Sequence, residues 1–284
     1  MLSIGSLMSH ENVFFEWLSD NNKHGYVTSV YGSIPCKFQS GRCVNHLKEF
    51  NIDNFISVIK KYNSFGIKVY LTFSRYNLSE EDLKDEKSNM ILSELNNISS
   101  VIKNGVIISN DSLLKLIKNS YSNLICISSI LKPTYESTFW KNDDPDYYNS
   151  LCNIYDYVVV NPAKIIDSEF RAQLNQKEKI IILKNSRCQK NCPLAVQHYE
   201  SQNLFDDAVI SGETGEAEKN AMSLITRKCS ELHDPLNTQF ISNSKMIELY
   251  NEGFKNWKLD GREYSDELFI LELNDFIECI KQIE

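Results

Sequence analysis

The sequence predicts an α/β fold, a single (β/α)8 TIM-barrel-like domain over residues 1–284. Eight short apolar or β-branched runs alternate with longer amphipathic segments. Each run is short and either solidly apolar or β-rich, which is typical of strands buried on both faces of a parallel sheet. Eight strands alternating with helices match a closed barrel, and an open parallel α/β sheet is the alternative. The predicted strands are LSIGS (2–6), YVTSVYG (26–32), IKVYLTF (67–73), GVIIS (105–109), LICIS (124–128), YVVVN (157–161), KIIIL (179–183) and NWKLD (256–260).

Helix signals fill the connections between these runs. The segment 51–66 carries apolar residues at helical spacing and ends at Gly66, which suits a C-terminal cap. The segment 79–99 opens with Ser79 and acidic residues, which favour a helix N-terminus. Segments 109–121 and 265–283 have similar caps and faces. A polar insertion near 203–222, which includes SGETGEAEK (211–219), interrupts the last strand-to-helix connection.

Composition and charge narrow the function classes. The chain has 284 residues, 42% of them hydrophobic, and a formal net charge of −8. Proteins that bind nucleic acid or membrane surfaces generally need a cationic face, so a general binder of either kind is disfavoured. A local basic groove for an RNA-borne substrate stays compatible with this charge. No run reaches the roughly 18 apolar residues that cross a bilayer, so no membrane association is expected.

The eight cysteines indicate metal or redox chemistry. The N-terminal residues MLSIGSLMSH lack the basic region of a signal peptide, so we expect a cytoplasmic protein. In a reducing cytoplasm, clustered cysteines favour a metal or redox site over a disulfide framework. Cys188 and Cys192 lie four residues apart after the seventh run, and Pro193 predicts that Cys192 caps the next helix. Cys229 lies at the far end of the same connection, so the three thiols can converge.

Three thiolates suit two kinds of metal site. One is an iron–sulfur cluster with a non-cysteine or open fourth position, and the other is a zinc ion completed by His198 or His233. Ordinary unligated thiols are the alternative at the same positions. His198 is also a candidate general acid or base, because its side chain titrates near neutral pH.

The end of the last strand carries the predicted catalytic residues. Lys258, Asp260 and Arg262 alternate along the chain, so their side chains share one side, which is the interior of a barrel. Buried charges must pair with each other or with a ligand, because unpaired buried charge is costly. A structural ion-pair network is the alternative to a catalytic or substrate-binding trio.

Four further residues are predicted to bind substrate because of where they lie. Active sites of barrels form at the C-terminal ends of the strands. Tyr31, Arg75 and Asn185 lie at such ends, and Arg42 lies in the loop that follows the second strand. A guanidinium there can hold a carboxylate or phosphate with two hydrogen bonds. The chain contains no phosphate-loop, GxGxxG, HExxH or GxSxG motif, which removes the commonest nucleotide, zinc-protease and serine-hydrolase predictions.

Several segments resemble, in order, those of the collagenase-like U-32 peptidase family. SVYGSIPCKFQSGR (29–42) is similar to its early "VYxG … R" segment, and FGIKVYLTFS (65–74) is similar to its "GkkvyvtlN" strand. The later match is NEGFKNWKLDGR (251–262), which resembles "GvdslKIEGR". The likeness covers roughly residues 26 to 265. The family's cysteine segment "ExFxxGAxCxxxSGxC" is replaced here by KNSRCQKNCPLAVQHY, so its glutamate and fourth cysteine have no counterpart.

The resemblance implies a TIM-barrel-like fold that carries an iron–sulfur cluster, for instance of the 4Fe-4S type. Members of the family serve oxygen-independent hydroxylation of quinone precursors or modification of RNA bases. The resemblance therefore implies an iron–sulfur enzyme that acts on a small molecule or on RNA, with Cys188, Cys192 and Cys229 as ligands. A peptidase, as the family name suggests, and a non-enzymatic partner subunit with a structural metal such as zinc are the alternatives.

Overall fold

Eight parallel strands close into a barrel in which each strand pairs with its neighbours in the sequence and β1 pairs with β8. This computed structural model describes residues 1–5, 7, 9–21, 25–40, 51–136, 143–186, 188–213, 215–232, 234–261 and 264–283. Closure confirms the (β/α)8 prediction over the open sheet. The strands are β1 (Leu2–Ile4), β2 (Val27–Gly32), β3 (Lys68–Phe73), β4 (Gly105–Ile108), β5 (Ile125–Ser128), β6 (Tyr157–Val160), β7 (Ile180–Leu183) and β8 (Asn256–Leu259).

Helices fill the connections between the strands. Within the described ranges they are α1 (Glu11–Asn21), α2 (Ile52–Ser64), α3 (Glu86–Ile98), α4 (Asp111–Ser120), α5 (Leu131–Glu136), α6 (Pro145–Ile154), α7 (Pro162–Ile165), α8 (Ser168–Ala172), α9 (Ala195–Ile210), α10 (Glu216–Leu232), α11 (Asn243–Asn251) and α12 (Asp266–Lys281). None of these helices is long and apolar enough to cross a membrane.

Most predicted boundaries agree with the structure to within two residues, and one helix start differs. Gly66 follows α2 with a φ of +74°, a conformation that glycine adopts without steric cost. The segment 79–99 does not form one helix from Ser79. Asp82 instead accepts hydrogen bonds from the backbone and hydroxyl of Ser79 and closes a separate turn. The α-helix starts at Glu86, because the Asp85 carboxylate caps it.

Side chains inside the barrel form their own apolar cluster, separate from the core between the strands and the outer helices. The interior cluster consists of Tyr31, Tyr70, Ile107, Ile127, Val159 and Ile181. Strand residues that alternate with these, such as Val30, Val106 and Val158, belong to the outer core. This alternation follows the two-residue period of a strand. The same period determines which residues at the C-terminal ends of the strands face the barrel interior.

The barrel closes along a seam between the first and last strands. The backbone N–H of Gly5 donates to the carbonyl of Leu259 over 2.9 Å. Beside the seam, the His10 Nδ1 lies 2.6 Å from the Asp266 carboxylate, and its Nε2 lies 2.8 Å from the carbonyl oxygen of Gly261. The imidazole also stacks on Phe269, with ring centroids 4.4 Å apart. The seam therefore has polar as well as apolar contacts.

Candidate functional site

Small polar side chains replace apolar ones above the interior cluster, at the C-terminal mouth of the barrel. Ser33 and Thr72 follow the inward-facing Tyr31 and Tyr70 by two residues and are hydrogen-bonded to each other. Ser109 follows Ile107 in the same way and is fully buried, and its hydroxyl has no hydrogen-bond partner among the described residues. Hydroxyls therefore line the C-terminal mouth of the barrel, which is where enzymes with this fold generally bind their substrates.

Lys258 faces this mouth from the last strand. Its neighbours Trp257 and Leu259 pack in the outer core, so the two-residue period turns Lys258 inward. The Lys258 Nζ lies 3.8 Å from the centroid of the Tyr31 ring, and the Tyr31 hydroxyl donates to the carbonyl of Leu259 over 2.9 Å. A cation over an aromatic face is stabilised by the ring quadrupole. The structure thus brings together a predicted catalytic residue and a predicted substrate-binding residue.

Asp260 and Asn185 meet where β7 and β8 end. The Asn185 amide donates to the carbonyl of Asp260 over 2.7 Å, and its oxygen accepts from the backbone N–H of Asp260 over 2.8 Å. The Asp260 carboxylate accepts a hydrogen bond from the backbone N–H of Gly261 at 3.0 Å. Asn185 therefore extends the ladder between the two strands, while its predicted role in substrate binding stays a prediction. Arg42, His233 and Arg262 lie outside the described residues.

Arg75 is held by α9 instead of facing an open mouth. Its Nη1 donates to both oxygens of Asp207 at 2.9 and 3.0 Å, and its Nη2 donates to the carbonyl of Asn203 at 3.1 Å. The guanidinium is buried, and its Nε has no hydrogen-bond partner among the described residues. A role of Arg75 in substrate binding stays a prediction, and the Nε–H is the donor that such a role would use.

Helix α9 crosses the mouth from one side to the other. It begins after β7 and contacts the loops that follow β2 and β3, on the opposite side of the barrel. The Gln39 amide donates to Asp206 at 2.7 Å, and the Asn77 amide donates to Glu200 at 3.0 Å. Burial raises the pKa of Asp206, although Gln39 counters this by hydrogen bonding the carboxylate. Helix α9 also packs against α5.

Helix α10 returns along α9, and the two helices form the α9–α10 hairpin, residues 195–232. The predicted insertion at 203–222 lies inside this hairpin and contains its turn. Gly212 ends α9 with a φ of +82°, which allows the chain to reverse. None of the described side chains of α10 is buried, and its main packing partner is α9.

The three predicted ligand cysteines come together beside the hairpin. Cys188 and Cys192 both lie near Cys229, which belongs to α10. Burial raises the pKa of Cys229, and the nearby Cys192 and Cys188 raise it further. Cys188 is exposed, whereas Cys192 and Cys229 are half-buried. The described residues nevertheless contain no group of three His, Cys, Asp or Glu side chains arranged to hold a metal ion.

A short backbone pairing explains why these distant cysteines meet. Gln189 forms an isolated antiparallel bridge with Thr238, and the backbone N–H of Gln239 donates to the carbonyl of Cys188 at 2.8 Å. The N–H of Lys190 donates to the carbonyl of Asn237 at 3.0 Å. This pairing places the loop before α9 next to the end of α10. No local sequence pattern predicts this pairing, because the paired segments lie about 50 residues apart in the chain.

The predicted helix cap at Cys192 is wrong. Helix α9 begins at Ala195, with Leu194 at its N-cap, and Cys192 lies in the preceding turn. Asn191 adopts a φ of +52°, and the N–H of Ala195 donates to the carbonyl of Cys192 over 3.3 Å. Pro193 therefore lies in this turn and not at the first position of the helix. Cys192 is therefore not at the helix N-terminus, and the predicted stabilisation of its thiolate by the helix dipole does not apply there.

His198 lies at the end of the first turn of α9. Its ring is half-buried and stacks on Tyr199, with centroids 6.1 Å apart. Its carbonyl accepts a hydrogen bond from the Ser201 hydroxyl at 2.9 Å. Its predicted roles as a metal ligand or as a general acid or base stay predictions.

Comparisons with known proteins support the fold and no specific chemistry. No protein-family model and no curated protein matches the chain. A solved structure of the U32 peptidase Mk0906 superposes with a TM-score of 0.56 at 13% identity, covering 92% of this chain and 91% of that one. The C-terminal domain of a putative chitinase from Desulfitobacterium hafniense DCB-2 gives a TM-score of 0.40 at 14% identity, over 65% of this chain and 66% of that one. This chain therefore has the barrel fold of a U32 peptidase structure along nearly its whole length, as the sequence resemblance predicts.

Proposed function

We propose that this protein is an iron–sulfur enzyme that acts on a small molecule in the mouth of its barrel, with oxygen-independent hydroxylation as the reaction class. The observation that carries the proposal is the meeting of Cys188, Cys192 and Cys229 beside that mouth. Cys192 lies near Cys229 and raises its pKa, although 37 positions separate the two residues in the sequence (229 − 192).

The residue types of this donor set suit the proposed cofactor, although their arrangement among the described residues does not. Three cysteine thiolates match an iron–sulfur cluster that keeps one position open, and they also match a zinc ion with one further ligand. Cys192 lies near Cys229, and Cys188 lies in the same loop as Cys192. Binding by all three would reorganise this loop, since the thiols do not have a ligating arrangement in the described structure. When bound, such a cluster supplies electron transfer or an open iron for a substrate oxygen.

The chain's own residues would bind and orient the substrate. The Lys258 ammonium faces the mouth over the Tyr31 ring and supplies a positive charge for an anionic group. Ser33, Thr72 and Ser109 supply hydroxyls at the ends of β2, β3 and β4, above an apolar floor. A small anionic molecule with several oxygen atoms is the ligand that this lining fits best.

The α9–α10 hairpin favours a small molecule over a polymer. It spans the mouth and is fixed to the far rim by the contacts of Asp206, Asp207 and Glu200. A peptide or an RNA strand would have to displace the hairpin to reach the barrel interior. The peptidase alternative is therefore not favoured, and the net charge of −8 also disfavours RNA.

Metal and sulfide content of anaerobically purified protein tests the proposal. We expect a brown protein that contains iron and acid-labile sulfide, and we expect both to fall in Cys188→Ala, Cys192→Ala and Cys229→Ala variants. Cys152→Ala is the matched control, because Cys152 is buried in α6, away from the mouth. Tightly bound zinc without a spectral change on reduction would support the structural-metal alternative. Colourless, metal-free protein that is insensitive to all three substitutions would refute both.

A further inference from the structure

The side chain of Tyr31 crosses the seam at which the barrel closes. Tyr31 belongs to β2, but its hydroxyl donates to the carbonyl of Leu259 on β8 over 2.9 Å. The same carbonyl accepts the backbone N–H of Gly5, which directly follows β1, also over 2.9 Å. Strand β1 lies between β2 and β8, so the Tyr31 ring must pass over the end of β1 to reach its acceptor. The phenolic proton is therefore committed to the barrel wall.

Gly5 provides the space for this crossing. Its neighbour Ile4 packs in the outer core, so the two-residue period places residue 5 on the barrel interior. A Cβ at this position would lie 2.9 Å from the Tyr31 hydroxyl oxygen and 3.0 Å from the adjacent ring carbon, Cζ. Carbon atoms pack at about 3.5–4.0 Å, so any side chain here would displace the ring. Gly5 does not adopt a positive φ, and the need for glycine is steric.

The ring that Gly5 admits forms a platform for Lys258. The Lys258 Nζ lies 3.8 Å from the ring centroid, and the lysine is half-buried. A lysine ammonium sits on a flexible four-carbon stem and samples many positions when nothing holds it. Attraction to an aromatic face grows when the cation is partly desolvated, as it is here. The Tyr31 ring is itself fixed at both ends, by the backbone of β2 and by its hydroxyl.

We infer that Tyr31 is a positioning residue, whose ring passes over Gly5, is anchored to Leu259 and holds the Lys258 ammonium in the barrel mouth for an anionic ligand. This role differs from the predicted direct contact between Tyr31 and substrate. The inference rests on the role of Lys258 in the proposed function, but it involves neither the cysteines nor a metal. A cation that is already ordered loses less conformational freedom when the anion binds, so affinity rises.

NMR of methylated lysines tests the inference directly on the full chain. Reductive methylation with isotope-labelled formaldehyde gives dimethyl-lysines that keep their charge, and the signal that disappears in Lys258→Arg belongs to Lys258. Methyl groups held over an aromatic ring resonate upfield of those on exposed lysines. We expect the Lys258 signal to be upfield, with relaxation rates typical of an ordered side chain. Inorganic phosphate is the anionic probe, and titration of the same signal measures its affinity.

Three variants separate the ring, its anchor and the space beneath it. Tyr31→Leu removes the ring, so the Lys258 methyl groups should become mobile and phosphate binding should weaken about three- to tenfold, because the lysine must then be ordered on binding. Tyr31→Phe keeps the ring and removes only the bond to Leu259, so the signal should stay upfield and affinity should fall less than in Tyr31→Leu. Gly5→Ala retains both Tyr31 and Lys258 but displaces the ring, and it should reproduce the mobility seen in Tyr31→Leu.

Tyr70→Leu is the matched control. Tyr70 belongs to the same interior cluster and pairs with Tyr31, but β3 lies on the side of β2 away from β1 and β8. Loss of its ring should leave the Lys258 signal ordered and upfield. A mobile Lys258 in the wild-type protein, an ordered one in Tyr31→Leu, or no effect of phosphate on the wild-type signal would each overturn the inference. Iron and sulfide content is measured separately, so an ordered, phosphate-responsive Lys258 in a protein that never holds metal contradicts only the proposed function.

Discussion

The ion pair between Arg75 and Asp207 should control how firmly the α9–α10 hairpin is held on the barrel. The Arg75 side chain is 6% exposed and the Asp207 side chain is 33% exposed. Both carboxylate oxygens accept from the same guanidinium nitrogen, at 2.9 and 3.0 Å. Asp207→Asn keeps the shape of the side chain and removes its charge, so it tests the pair with little change in packing.

The magnitude follows from the burial of the two partners. Breaking a fully buried pair costs about 3–5 kcal/mol, whereas an exposed pair contributes about 0–1 kcal/mol. Arg75 is buried and Asp207 is partly solvated, so we expect an intermediate loss of about 2 kcal/mol. Lys37, whose Nζ lies 3.6 Å from Asp207, is more exposed and contributes less. A loss of about 2 kcal/mol makes the undocked hairpin roughly 30-fold more populated.

Hydrogen exchange along α9 measures this population. In Asp207→Asn, backbone amides of 195–210 should exchange about 30-fold faster at neutral pH, while amides of β3 and β4 keep their wild-type rates. Glu231→Gln is the matched control, because it removes an exposed partner of Arg227 at 3.7 Å and should leave exchange unchanged. If α9 exchanges at the wild-type rate in Asp207→Asn, the pair does not hold the hairpin and the reasoning fails.

Two further predictions concern stability. Gly105→Ala should lower the free energy of unfolding by at least about 3 kcal/mol, because a Cβ at Gly105 would overlap the carbonyl oxygen of Ile125 and lie 2.8 Å from its Cβ. Urea denaturation measures this loss, and Gly25→Ala, where no atom lies within 4 Å, should not reproduce it. A hydrogen bond from Arg171 lowers the pKa of Glu252, so this pair stabilises the fold above the unfolded-state pKa, near 4.5, and loses that effect as pH falls through the folded-state pKa. The difference in stability between wild type and Arg171→Met should therefore shrink below about pH 4.5, and denaturation midpoints that differ equally at pH 7 and pH 3.5 would contradict this.

The fold was predictable because its strands are buried on both faces. Each predicted run coincides with an observed strand to within two residues, since a β-branched apolar run has few other stable places in a compact chain. Helix starts were less predictable, because capping depends on which acidic residue turns toward the backbone. At the start of α3, Asp85 caps the helix, and Ser79 closes a turn with Asp82 instead.

The candidate site was predictable only in part. The alternation of residues along β8 correctly predicted that the Lys258 side chain faces the barrel interior, where its ammonium lies over the Tyr31 ring. The position of the α9–α10 hairpin over the mouth was not predicted. The contacts that fix it join α9 to loops more than 100 residues earlier in the chain. Arg75 illustrates this limit. Its position at a strand end suggested that it binds substrate, whereas its observed partner is Asp207, which lies 132 residues later in the sequence. Position in a strand thus predicts where a side chain lies, but tertiary contacts determine its partner.

The seam between β1 and β8 has a consequence for synthesis of the protein. His10 and Asp266 are 256 residues apart in sequence, and β1 cannot complete its pairing until residue 259 has left the ribosome. Throughout elongation, the free side of β1 and the apolar interior of the unclosed sheet face water. Such an edge invites pairing with other chains. Closure must therefore follow synthesis of nearly the whole barrel, and a nascent chain that stalls within α11 would expose the two unpaired edges of an open seven-stranded sheet, which chaperones would be expected to bind.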